Sequence, residues 1–209
     1  MKNIAAARTG LIIGTTLIIV TMVLHPAGGS IKLILAQSTM IVTAHSIAIL
    51  ATVFVAFGLY GFLQSLLPHS GFAMLAYMLA LMGMFAAAVA AAINGLALPF
   101  FLWSFGDEVH QMHDAIDPVI HYGFALNKAM DYIFIGGLVG AVLVNSMIIV
   151  VKGVYPKWLA WLGFAACAVL LLYVFVEIDI ISLLGFRIFV FSLAGWLGAA
   201  GWLMHAPER

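Results

Sequence analysis

The chain has 209 residues, of which 66% are hydrophobic and 8% charged, with zero formal net charge and a mean hydropathy of +1.20. A soluble domain carries about a quarter charged residues and could not hide this much apolar surface, so lipid is the solvent. A neutral chain also lacks the basic footprint that nucleic acid requires.

Six segments come close to the ~20 apolar residues of a spanning helix. The first covers 9–25 and stops at His25-Pro26, because proline lacks a backbone donor. It has no small-residue cleavage site and so reads as a retained helix. Ala27 to Ser30 make a turn, and 31–38, with Lys32, predicts an interfacial helix. The second span covers 40–65 and the third 72–97, separated by Leu67-Pro68-His69-Ser70-Gly71. A polar connection runs from Pro99 to about His121, and the fourth span covers 122–152. The fifth and sixth cover 158–176 and 184–204, and the fifth carries the lone Cys167 as a small hydrophobe. The expected fold is an all-α integral membrane protein. It is a single transmembrane domain over 1–209, a bundle of six transmembrane helices with a short extracytoplasmic helix or loop between the third and fourth. Gly10 and Gly14, Gly136 and Gly140, and Gly195, Gly198 and Gly201 have spacings that let helices approach closely.

Lys2, Arg8, Lys152, Lys157 and Arg209 fall on the N-terminal side of this topology, and Lys32, Lys128 and Arg187 on the other. The bias places both termini in the cytoplasm of a bacterial-type inner (plasma) membrane. The lipid bilayer is the expected partner, with a homo-oligomer or a larger membrane complex also open.

Polar groups are scarce, yet His25, His45, His110, His113 and His121 gather at the face opposite the termini, with most of the acidic residues. The densest stretch is FGDEVHQMHDAIDPVIHYG, residues 105–123. On one helix His110, His113, Asp114, Asp117 and His121 share an arc. Pro118 opens a second reading, in which a short helix ends near Ile116, Asp117 caps and Pro118 starts the next helix.

Imidazole with carboxylate is the usual ligand set for zinc or iron. The expected metal ligands are His45, His110, His113 and His121, with Asp114, Asp117 or Asp131 as ligand or general base. His25 arrives at a similar depth but reads as a turn residue. Lys128 and Arg187 are candidates to hold an anionic group, and Asn94 and Asn127 to add hydrogen bonds. The leading expectation is a divalent-metal site (zinc or iron) in a membrane enzyme acting on a lipid-like or small substrate. A transporter or accessory subunit without its own catalysis is the alternative. A b-type haem between His45 and His121, its propionates on Arg187 or Lys128, is the second.

The turn Tyr155-Pro156-Lys157-Trp158-Leu159-Ala160-Trp161-Leu162-Gly163 is similar to one that precedes a helix in small bacterial multi-pass proteins. That likeness is confined to the turn and implies no activity. Histidine and aspartate at one membrane face also resemble the zinc-dependent seven-helix ceramidase and adiponectin-receptor type. The helix count differs, however, and the last span has only His205, on the opposite side. No family is assigned.

Overall fold

A computed structural model describes residues 2–26, 30–106, 113–175, 179–180 and 182–204; the side chains of 2–3, 113–115 and 171–175 lie outside that description. The elements are helical throughout. They are α1 (Lys2–Leu24), α2 (Ile31–Ala36), α3 (Ser38–Leu66), α4 (Phe72–Ala92), a π-helical turn (Ile93–Ala97), α5 (Leu98–Trp103), α6 (His113–Lys152), α7 (Lys157–Phe175) and α8 (Leu183–Leu203).

Among the described residues five helices are long and apolar enough to cross a membrane: Ile4–Leu24, Ser38–Leu66, Phe72–Trp103, Ile116–Lys152 and Leu183–Leu203. The protein is therefore a multi-pass helical membrane protein. The expected fifth of six spans coincides with α7. Its described apolar stretch, Lys157–Leu170, covers only about 21 Å at 1.5 Å per residue, against a hydrocarbon core of about 30 Å.

Two boundaries differ from expectation, and both involve a proline. The third span continues past residue 97 to Trp103. The π turn sits just before Pro99, where a regular helix would drive the proline ring into the carbonyl four residues back; a widened turn relieves that clash. Likewise α6 begins at His113, with Pro118 inside it, so Asp117 does not cap a new helix there. Proline removes one backbone bond at this point. Burial of Ile116 and Ile120, on the same helix face, offsets the loss.

The helices pair as α1 with α3 and α4 with α6, while α8 packs on α1 and α7 on α6 and α8. Small residues set the closest seams. A β-carbon on Gly58 would overlap the backbone of Leu11, and one on Gly14 would come within 2.8 Å of Val55 N. The α4–α6 seam is Gly83 against Gly137, where an added β-carbon would sit 2.9 Å from Gly83 Cα. The expected Gly136 has nothing nearby, and Gly140 meets only the Leu79 side chain, at 3.2 Å. Gly201 and Gly198 face α1 at ordinary contact distance, and Gly195 faces nothing.

The apolar core divides in two. The main cluster runs through α1, α3, α4, α6, α7 and α8, with Trp196 almost fully buried and in edge contact with Phe62. A smaller cluster joins Ile34 of α2, Ile41 of α3, Leu102 of α5, and Ile116 and Ile120 of α6. It forms a cap over one end of the bundle.

Candidate functional site: a cavity beneath the cap

Between the two clusters lies a cavity of about 330 Å³, within the usual range of small-molecule sites. It is walled by α1, α3, α4 with its π turn, α6 and α8, with Ile34 of α2 and Leu98 of α5 at its cap end. Each wall is one helical face: Ile18, Thr21, Met22 and His25 on α1; Ile41, His45, Ala48 and Thr52 on α3; Phe124, Asn127, Asp131 and Phe134 on α6. His25, Gln37, His45 and Asn94 stand at the cap end, while Asn127 and Asp131 follow further along α6, Asp131 one turn from Phe134. Apart from Asp131 and Thr52 the lining deeper in the bundle is apolar, with Ile18, Met84, Ala87, Val190 and Leu193. Phe134 closes that wall against Phe186 and Phe189, with ring centroids 6.0 and 5.6 Å away.

The π turn builds one side of the polar end. It carries Asn94 to the cavity and sets Gly95 against the His45 ring, where any β-carbon would overlap His45 Cβ and Cγ. An α-helix cannot widen this way, and single π turns recur at functional sites for that reason.

His25 and His45 meet ring to ring, with centroids 5.0 Å apart. His45 Nδ1 is 2.8 Å from the Ile41 carbonyl and His25 Nδ1 is 3.0 Å from the Pro26 carbonyl. A carbonyl can only accept, so both rings carry hydrogen on Nδ1 and keep a lone pair on Nε2. Burial, then His45 and more weakly the Arg187 guanidinium, holds the His25 pKa down at about 4, against the Pro26 hydrogen bond that favours the charged ring. His25 is therefore neutral at neutral pH. Arg187 Nη2 donates to the His25 carbonyl at 2.9 Å and ties the end of α1 to α8.

Asp131 is 8% exposed, and Asn127 Nδ2 donates to its Oδ2 at 2.7 Å. An intramembrane carboxyl is costly and marks a functional position by default. Gln37 Oε1, Asn94 Oδ1 and, beside His25, Arg187 Nε are buried without a hydrogen-bond partner. Each such orphan costs about 1–3 kcal/mol.

Of the residues predicted from sequence, His45 and Asp131 line the cavity, and His25 joins them. The convergence expected of His45 with His121 is not found. His121 is 71% exposed on α6, its Nδ1 donating to the Asp117 carbonyl at 2.9 Å and lying 3.1 Å from the Asp117 carboxylate. It follows inward-facing Ile120 by one residue, about 100° of helix, and so points away. Lys128 is exposed and, like Arg187, is not part of the lining. His110 lies outside the described residues. His113 and Asp114 open α6, but their side chains lie outside the description. Among the described residues no three His, Cys, Asp or Glu side chains are placed to hold a metal ion.

Gln37, Thr21, Thr52 and Gly95 were not singled out by sequence. One signal was present: Ile41, His45, Ala48 and Thr52 share a face, as do Thr21 and His25 four apart. No family model matches the chain, and no curated protein and no solved structure matches it. Fold and site together define a multi-pass helical membrane protein with a cavity between its helices lined by both polar and apolar residues.

Proposed function

We propose that this chain binds a small amphipathic molecule inside the membrane, with its polar head beneath the cap and its apolar tail toward Met84 and Leu193. The observation that carries this reading is the gradient along two cavity walls, from His25 to Ile18 on α1 and from Asn94 to Met84 on α4 and its π turn, set against the wholly apolar lining of α8. Along α8 the lining runs from Leu183 to Leu193, about 15 Å of helix, which suits an alkyl tail better than a compact ion. His45 stands where a bound head would touch it, and Asp131 lines the same cavity further from the cap. The reading serves the membrane enzyme on a lipid-like substrate and the transporter or accessory subunit alike. A metal centre would need ligands beyond the two histidines that meet here.

The test is mass spectrometry of what accompanies the purified protein, set beside Ala91→Trp, which puts an indole into the cavity. The native chain is expected to carry an amphiphile that the variant has lost at equal or higher melting temperature. The same molecule on both proteins, or none on either, would overturn the proposal.

A further inference from the structure

From the depths at which the cavity's polar side chains stand, we infer a second polar station at the middle of the bundle, formed by Asp131 and Thr52. The ligand is then a long chain that carries a hydroxyl about 10–13 Å below its head group. This narrows the amphiphile reading above, on which it rests, and is independent of the charge of the head.

Depth can be counted along three helices. Ile41 of α3 and Ile120 of α6 share the cap cluster, with His45 four residues beyond the first and Asp131 eleven beyond the second. The excess of seven residues sets Asp131 about 10 Å deeper than His45. On α4 and its π turn, Gly95 touches His45, and Gly83, twelve residues away, faces the Phe134 carbonyl. Asp131 precedes Phe134 by three residues, so this route gives about 13 Å. Thr52 lines the α3 wall seven residues beyond His45, again about 10 Å. Thr52 is also the central residue of Ser38–Leu66, and Asp131 lies three residues before the centre of Ile116–Lys152. The two share a level near the midplane of the membrane.

Asp131 is open to a ligand where the Gln37 and Asn94 oxygens are not. Asn127 Nδ2 engages its Oδ2, while Oδ1 has no partner among the described residues and is not enclosed by protein. Asp131 lines the cavity, so Oδ1 is presented to it. The Thr52 hydroxyl hydrogen goes to Ile49 O at 2.7 Å, which leaves the oxygen to accept. The nearby lining, Ala48, Ala87 and Phe134, can satisfy no polar group. A bare alkyl tail crossing this level would press hydrocarbon on the carboxyl and displace any water bound to it, which loses affinity. A hydroxyl both donates and accepts. It therefore pairs with Asp131 as carboxylate or as carboxylic acid, and can donate to Thr52.

The experiment uses the full chain in nanodiscs and three radiolabelled probes: 1-dodecanol, 1,5-dodecanediol and 1,10-dodecanediol. Three extended backbone bonds span about 3.3–3.6 Å, so four carbon–carbon bonds reach about 5 Å and nine about 10–11 Å. The two diols are isomers with one primary and one secondary hydroxyl each, so partition into lipid does not separate them. Binding that Ala91→Trp abolishes is counted as cavity binding. On the native chain 1,10-dodecanediol is expected to bind at least about tenfold more tightly than 1,5-dodecanediol, whose second hydroxyl is left without a partner. Asp131→Leu should remove that preference and keep 1-dodecanol binding, while Asp131→Asn should retain part of it. Thr52→Val, which removes only a hydroxyl, should weaken it and serves if Asp131→Leu does not fold. Equal cavity binding of the two diols, or a preference unchanged in these variants, would overturn the second station and leave the amphiphile pocket standing. If no probe binds in a way that Ala91→Trp abolishes, the pocket reading itself falls.

Discussion

The two ends of this bundle are packed by opposite rules. Toward the N-terminus of α1, helices touch backbone to backbone: Gly58 admits Leu11, Gly61 admits Ala7, and Arg8 lies over the Trp202 ring at 5.5 Å. Ser65 Oγ and Tyr155 OH meet at 2.8 Å at the same end, and Phe62 and Trp196 fill the space beside them. Toward the cap the same helices part around a cavity, and a separate apolar cluster roofs it. In lipid, where the hydrophobic effect does not drive helices together, close van der Waals contact at small residues holds a bundle. The tight end can therefore hold the helices while the other end stays open for a ligand.

Breaking the tight end should have the largest effect. Gly58→Val forces a branched side chain into the Leu11 backbone and is expected to destabilise the protein by about 3 kcal/mol or more, since the overlap is with main chain that cannot rotate aside. Thermal unfolding in detergent measures this, and an unchanged melting temperature would deny that the α1–α3 seam is as close as described.

A smaller effect on stability, but a larger one on binding, is expected at the open end. Gly95→Ala puts a methyl group where the His45 ring packs. His45 Cβ is fixed to the backbone, so α3 must shift together with the ring; amphiphile binding should fall about tenfold or more and the protein should lose about 1–3 kcal/mol. Equal losses at Gly95 and Gly58 would erase the distinction between the two ends.

Acidification should also act on the capped end. His25 has its folded-state pKa lowered from 6.5 to about 4, so the unfolded chain takes up the proton first. Stability is then fully present above about 6.5 and declines as pH falls toward about 4. His25→Gln should flatten that part of the profile. A native profile already flat between those two values would show that His25 is not held neutral.

The smallest effect sharpens the comparison within one helix. Gly136→Ala meets nothing and should be neutral, or stabilising by up to about 1 kcal/mol, whereas Gly137→Ala presses on Gly83 and should destabilise. If the two variants unfold alike, the α4–α6 seam has been assigned to the wrong face.

Much of the membrane architecture was legible in the residues. Long apolar runs can satisfy their backbone in lipid only as helices, so five of the six expected spans and the His25-Pro26 stop followed from composition and order alone. Gly10 and Gly14 were legible as a seam because no adjacent glycine competed with them. The dipeptide Gly136-Gly137 was not, since choosing between its members requires the rotation of α6, and one residue is about 100°. The same ambiguity misled the site reading at His121, which sits one residue from an inward position.

Sequence by itself determined the solvent, the helical class and the scarcity that makes each buried polar group informative. It also brought His25 and His45 to a common depth, because depth in a helix is counted along the chain. Only the tertiary structure decided which faces look inward, that Pro99 is accommodated by a π turn carrying Asn94 and Gly95, and that Gln37 and Asp131 border the same cavity. Those are matters of helix rotation and packing, set by contacts between segments far apart in the chain, and no local pattern of residues encodes them.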